Sequence, residues 1–242
     1  MSGEISRMFA LTVGSRSLLI LLPFIACCLV LVVTVLHPRR LRDRHGDARG
    51  MWIYFTSFFC FFVAAPVLII VLSEPSPLRV LASLGVQVGN WALGCALAGI
   101  AIPVTLLVSS LSSKMPEIQA QYPLSKAACA SDGAFVRYEI GYLLLYYTSW
   151  EFLYRGILFF PLLNAVGFLP AVSITTALST LHHMGHPDSE IWATLAVGLI
   201  FGLVTFLTNS VFYAVAIHGM MGVFDDLFIY ARVYRGRARA AQ

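Results

Sequence analysis

Apolar runs of about 20 residues recur along the chain, and each is long enough to cross a bilayer as one helix. Of the 242 residues, 59% are hydrophobic and only 12% are charged, and the mean hydropathy is +0.81. A soluble domain could not hide so much apolar surface from water. We therefore predict an all-α fold, a polytopic membrane bundle of about seven transmembrane helices.

The longest polar stretch, 111–137, divides the apolar runs into two groups. It predicts an N-terminal three-helix membrane segment over 1–110 and a four-helix core over 138–231, followed by a basic tail at 232–242. The seven helices are predicted at about 17–36, 51–73, 80–110, 138–160, 169–183, 190–207 and 210–230.

Most Lys and Arg residues lie between the apolar runs, and their distribution predicts the orientation of the chain. With seven crossings, 12 of them share a side with the 111–137 stretch and only three lie opposite. The positive-inside rule then places the N-terminus outside, and the 111–137 loop and the C-terminus in the cytoplasm. We predict a multi-pass protein of the cell (inner) membrane, whose surroundings are the lipid bilayer. No basic face for nucleic acid is expected.

Two charged residues lie inside the fourth apolar run, in the segment SWEFLYRGILFFP. Glu151 precedes Arg155 by four residues, so the two share one helix face in the favourable order. Placing a lone charge in hydrocarbon costs about 2.5 to 3.5 kcal/mol, which makes such residues candidates for function. An ion pair that fixes one helix against another is the alternative.

His218 lies within the last apolar run, FYAVAIHGMMGVFDD, where glycines open space beside it. A histidine at membrane depth requires a polar partner. Asp225 follows seven residues later, about 20° from the same helix face, and is expected in the same cavity. Asp226 points elsewhere and is expected at the cytoplasmic interface.

More histidines end the fifth run, in the turn HHMGHPD. Taken singly, each of them, His182 and His183 included, is more typical of an ordinary helix end than of a site. His186 and Glu190 belong to the same turn and are expected to be solvated. Together with Glu151 and His218, however, a glutamate as general base and histidines as proton shuttle or oxyanion donor form a hydrolytic set.

Three segments, WEFLYRG, LHHMGHP and TNSVFYAVAIH, resemble the CPBP family of intramembrane endopeptidases in their order and residue pattern. This family is also called the CAAX protease and bacteriocin-processing family, and the resemblance covers about residues 138–230. The family is marked by Glu-Glu-x-x-x-Arg, Phe-x-x-x-His and His-x-x-x-Asn/Asp motifs. Its motifs lie on separate helices that line a cavity within the membrane.

The first motif is matched only in part. Glu151 and Arg155 match its second Glu and its Arg, but Trp150 stands where the first, usually catalytic, Glu is expected. In the second motif His183 matches the histidine, while Ser179 replaces the Phe four residues earlier.

The third motif is also altered, because His218 matches its histidine but Gly222 occupies the Asn or Asp position. The resemblance implies a hydrolase that cleaves a peptide bond of a membrane-protein or lipidated-protein substrate. Glu151 would be the base that activates water, and His183 and His218 would be its electrostatic partners. Arg155 would orient Glu151, and Asp225 would substitute for the missing third-motif acid.

Other functions fit the same residues. No cofactor is expected, but two histidines and a carboxylate could instead form an open zinc site. A non-proteolytic scaffold or chaperone of the same fold would explain the departures at Trp150 and Gly222. A proton-coupled small transporter could use the membrane-embedded acids and histidines as a relay.

Overall fold

The computed structural model describes residues 16–236, which form ten helices and contain no strand. A short 3-10 turn, Lys126–Ala130, precedes the seventh helix. The helices are α1 (Arg16–Val33), α2 (Pro38–His45), α3 (Asp47–Ser73), α4 (Pro77–Ser83), α5 (Trp91–Ser112), α6 (Pro116–Gln121), α7 (132–166), α8 (Phe168–His182), α9 (Asp188–Thr208) and α10 (Phe212–Tyr234). The far N-terminal and C-terminal residues of the predicted topology, including most of the basic tail, lie outside the described range.

Five of these helices, α1, α3, α5, α9 and α10, are long and apolar enough to cross a membrane. Helix α8 is apolar but shorter, with 15 residues, and α7 contains the predicted fourth apolar run. These two bring the apolar helices among the described residues to seven. The prediction of a polytopic helical bundle is confirmed.

The third predicted helix, 80–110, is wrong in its first part. The chain leaves helix α4 at Ser83 and makes a turn over 84–90 before α5 begins. Gly85 and Gly89 adopt positive φ angles of 79° and 59° in this turn, a conformation that glycine adopts without steric cost. Helices α4 and α5 therefore take the place of the single predicted helix.

The 84–90 turn packs against the junction between α9 and α10. The backbone N–H of Asn90 donates to the carbonyl oxygen of Thr208 at 2.8 Å, and that of Val211 donates to Gly85 at 3.0 Å. A side chain on Gly89 would overlap the Thr208 carbonyl. These contacts join the N-terminal helices to the C-terminal half through backbone atoms.

The predicted cytoplasmic loop, 111–137, contains helix α6, the 3-10 turn and the first residues of α7. It is fixed to the start of α3 by one carboxylate oxygen of Asp47. That oxygen accepts hydrogen bonds from the Ser125 hydroxyl at 2.9 Å and from the Ala127 backbone at 2.7 Å. The segment therefore has a defined path across the end of the bundle.

A row of aromatic residues spaced four apart runs along α7 and packs against α3. In an α-helix four residues advance 400°, so such a row would turn about 40° further at each step. Two π-helical segments, Tyr142–Tyr147 and Phe152–Leu158, take more residues per turn and offset this drift. The row consists of Tyr138, Tyr142, Tyr146, Trp150 and Tyr154, all buried, and its partners include Tyr54, Phe55 and Phe58.

Helix α5 packs along α10, although the sequence groups α5 with the N-terminal segment. Gly94 allows this approach, because a side chain there would overlap the ring of Tyr213. Further along, the Ser109 hydroxyl donates to the Met221 carbonyl at 3.2 Å. Helix α5 thus forms one wall beside α10, while the division into two membrane segments stays a prediction.

Candidate active site

Glu151 is fully buried in α7 and contacts two of the other candidate residues. Its Oε1 lies 2.6 Å from Nδ1 of His218, and its Oε2 lies 3.4 Å from Nε of Arg155. Arg155 is also buried, and its Nη2 donates to the carbonyl oxygen of Gly198 at 3.3 Å. The predicted pairing of Glu151 with Arg155 is present, and it joins α7 to α9 and α10.

The carboxylate of Glu151 also determines how His218 is presented. Because Oε1 is a hydrogen-bond acceptor, Nδ1 of His218 carries the hydrogen of that bond. The second ring nitrogen, Nε2, is then the one available for chemistry.

His183 caps the C-terminal end of α8. Its Nδ1 lies 2.8 Å from the carbonyl oxygen of Ser179, four residues earlier. A carbonyl only accepts hydrogen bonds, so Nδ1 is the protonated nitrogen and Nε2 of the neutral ring is an acceptor. The structure thus fixes the tautomer of this histidine.

A cavity of about 270 Å³ lies among α5, α7, α8, α9 and α10. Its walls include His183, His218, Arg155 and Asp225, but not Glu151. The two histidines therefore face one common space from separate helices. The carboxylate of Glu151 contacts His218 and does not line the cavity.

The two aspartates of α10 have different surroundings. Asp225 lines the cavity, as the sequence predicts, and its Oδ1 accepts a 2.6 Å hydrogen bond from the Ser112 hydroxyl of α5. Asp226, expected at the cytoplasmic interface, is instead fully buried and faces Glu139 of α7.

His186 and Glu190, expected to be solvated, are partly exposed, with 24% and 18% of their side chains accessible, and both line the cavity. Nδ1 of His186 lies 2.8 Å from Oε1 of Glu190, and the Tyr122 hydroxyl donates to the same oxygen at 2.6 Å. Sequence reasoning missed Tyr122 altogether. The i,i+4 spacing of His186 and Glu190 was the signal that the two side chains could meet.

Trp150 occupies the position at which the family resemblance places a carboxylate. Its indole is buried, and its ring centroid lies 4.8 Å from those of both His182 and His183 and 6.4 Å from that of His218. A large apolar side chain thus packs against the rings of all three histidines.

A second aromatic residue, Tyr147, occupies the space beside Gly222. A side chain on Gly222 would overlap the hydroxyl and ring of Tyr147, whose centroid lies 4.7 Å from that of His218. The Tyr147 ring lines the cavity. It fills the space that an Asn or Asp at position 222 would need.

Over residues 16–236, no group of three or more His, Cys, Asp or Glu side chains is arranged to hold a metal ion. The alternative of an open zinc site therefore lacks a complete ligand set in this part of the chain. Whether the protein uses a cofactor stays a prediction.

Comparison with protein families gives a match over residues 140–224 to the model described as type II CAAX prenyl endopeptidase Rce1-like. Comparisons with curated proteins and with solved structures give no match. The matched range contains Glu151, Arg155, His183 and His218, and it lies within the 138–230 range of the CPBP resemblance. Residues 140–224 are therefore similar to the Rce1-like type II CAAX endopeptidases, and the apolar helices around them indicate a multi-pass membrane protein.

Proposed function

We propose that this protein is an intramembrane endopeptidase that hydrolyses a peptide bond of a membrane-associated or lipid-modified protein. The observation that carries the proposal is the 2.6 Å contact between Glu151 and His218, buried beside a cavity that His183 also lines. The family match supports the reaction class. The words "prenyl endopeptidase" in the family's description favour a lipidated substrate.

Glu151 acts through His218, because its carboxylate does not reach the cavity. Its carboxylate, held in place by Arg155, accepts the hydrogen bond from Nδ1 of His218 and so fixes the orientation of the ring. When the ring also carries a hydrogen on Nε2, that Nε2–H donates to the carbonyl oxygen of the scissile bond as negative charge develops there. In this scheme Glu151 and Arg155 are positioning residues.

His183 has the complementary role. Its Nε2 is an acceptor, since Nδ1 is bonded to the Ser179 carbonyl. It can therefore hold one hydrogen of the attacking water while His218 holds the substrate oxygen. Because both histidines line one cavity, a single binding event brings the substrate into contact with both.

The test is cleavage by purified protein in liposomes. The probes are a fluorescence-quenched peptide with a prenylated C-terminal CAAX sequence and an unlipidated transmembrane peptide. We expect Glu151→Gln and His218→Ala to lower the rate by about 10²- to 10⁴-fold. Glu117→Gln, which removes an exposed carboxylate, should cleave like the native protein. Undiminished cleavage by both site variants would exclude the proposed roles.

A chelator arm addresses the zinc alternative. We expect the rate to be the same with and without chelator, because the scheme uses only side chains of this chain. Loss of cleavage on chelation, with recovery on adding zinc, would assign the reaction to a metalloenzyme.

A non-proteolytic membrane scaffold is the second candidate, and one observation favours it. Trp150 and Tyr147 fill the space in which the family motifs place polar side chains. A scaffold should function without Glu151, so Glu151→Gln would rescue the phenotype of a deletion strain. Failure of this variant to rescue, beside rescue by the native gene, favours the endopeptidase.

A further inference from the structure

Glu190 is a cavity carboxylate that the scheme above does not use. It lies in the first turn of α9, where the helix dipole favours an ionised acid. Tyr122 and His186 both contact its Oε1, at 2.6 and 2.8 Å. Its Oε2 has no hydrogen-bond partner among residues 16–236 although it is shielded from solvent. One oxygen is thus fixed in place while the other is free.

The distance from Glu190 to His183 fits one water molecule. Nε2 of His183 lies 4.0 Å from Oε1 of Glu190, too far for a direct hydrogen bond. A water about 2.8 Å from each group can bridge this gap, donating one hydrogen to the imidazole and one to the carboxylate. Its lone pairs then point away from both groups and are free to attack a bound substrate.

We propose that Glu190 is the catalytic base of this endopeptidase and that, with His183, it binds the attacking water. The inference rests on the proposed function and supplies the carboxylate that Trp150 removes from the first motif. Glu190 comes from α9, whereas the first motif lies on α7, and it lies beside His183.

The proton balance of the reaction closes with these residues alone. Glu190 takes a proton from water, and the oxygen of the resulting hydroxide forms a bond to the carbonyl carbon. His218 donates a hydrogen bond to the oxyanion. When the carbon–nitrogen bond breaks, the leaving nitrogen takes the proton from Glu190. The products are a carboxylic acid and an amine, and Glu190 is ionised again.

The test uses Glu190→Gln, because a glutamine keeps an oxygen that accepts from Tyr122 and His186 but cannot take a proton. With the prenylated CAAX peptide in liposomes, we expect kcat to fall by about 10²- to 10⁴-fold while KM stays nearly unchanged. The matched control is Asp188→Asn, which removes an exposed carboxylate from the same turn. It should leave kcat unchanged.

A purely structural role for Glu190 predicts the opposite pattern. If Glu190 only clamps Tyr122, then Tyr122→Phe would lower kcat as much as Glu190→Gln does, and both would lower the unfolding temperature together. We expect Tyr122→Phe to retain most activity and Glu190→Gln to unfold like the native protein.

The outcomes separate this inference from the proposed function. Native-like cleavage by Glu190→Gln, together with loss in Glu151→Gln, would overturn the role of Glu190 and leave the endopeptidase standing. No cleavage by the native protein of either probe would overturn both. Loss of cleavage in Glu190→Gln, with unchanged cleavage in Asp188→Asn, supports the inference.

Discussion

Replacing Arg155 with methionine would remove the guanidinium that faces the buried Glu151 carboxylate. The pair is separated by 3.4 Å, which corresponds to about 5 kcal/mol of attraction at an effective dielectric constant of 20. Protonation of Glu151 in the variant would neutralise the carboxylate and so limit this loss. For a carboxyl with an ordinary pKa of about 4.3, that costs about 3.7 kcal/mol at pH 7. Because His218 still contacts the carboxylate, we expect a loss of about 3 to 4 kcal/mol.

Because protonation of Glu151 limits the loss of stability, the size of that loss depends on pH. The folded variant holds a proton that the unfolded chain releases, so its stability falls as the pH rises. The difference from the native protein should therefore shrink by about 1.4 kcal/mol for each pH unit below 7, down to about pH 4.3.

The assay is equilibrium unfolding in mixed micelles, followed by fluorescence at pH 7 and about two units lower. Arg137→Met, which removes an exposed arginine from the same helix, should change stability by no more than about 0.5 kcal/mol. The double variant Glu151→Gln/Arg155→Met should recover most of the loss because no charge is left unpaired. A loss below about 1 kcal/mol, or one that does not change with pH, would refute the reasoning.

Two further predictions test the packing and the loop electrostatics. Gly94→Leu should lower the free energy of unfolding by about 1 to 3 kcal/mol through overlap with Tyr213, whereas Gly99→Leu in the same helix meets open space and should be neutral by the same measurement. His37 lies between α1 and α2, and its partial burial, followed by the charge of Arg39, lowers its pKa below 6.5. As the pH falls through 6.5 the unfolded chain takes up the proton first, so stability should fall, and His37→Gln should flatten the unfolding midpoint across that range.

The membrane fold could be predicted from the sequence because bilayer thickness sets the length of an apolar run. Both α9 and α10 begin and end within a few residues of the predicted bounds. The break between α4 and α5 was missed because its turn lies in an apolar background. Packing of Gly89 on the Thr208 carbonyl determines that turn, and this contact joins residues far apart in the chain.

The sequence predicted those site residues that cannot lie in hydrocarbon without a polar partner. Glu151 and His218 each require a polar partner at membrane depth, and the structure pairs them. Glu190 was assigned to solvent because it belongs to a polar turn. Only the path of the chain beyond α6 brings Tyr122 over that turn and encloses the carboxylate.

Trp150 gives the site an optical property as well as a shape. Indole emission is quenched by a nearby imidazolium, and the Trp150 ring is in contact with His183. The other three tryptophans, Trp52, Trp91 and Trp192, are 41%, 66% and 73% exposed and can be replaced by phenylalanine. The remaining fluorophore would then report the ionisation of the two histidines beside it, His182 and His183, in intact membranes and without an added label.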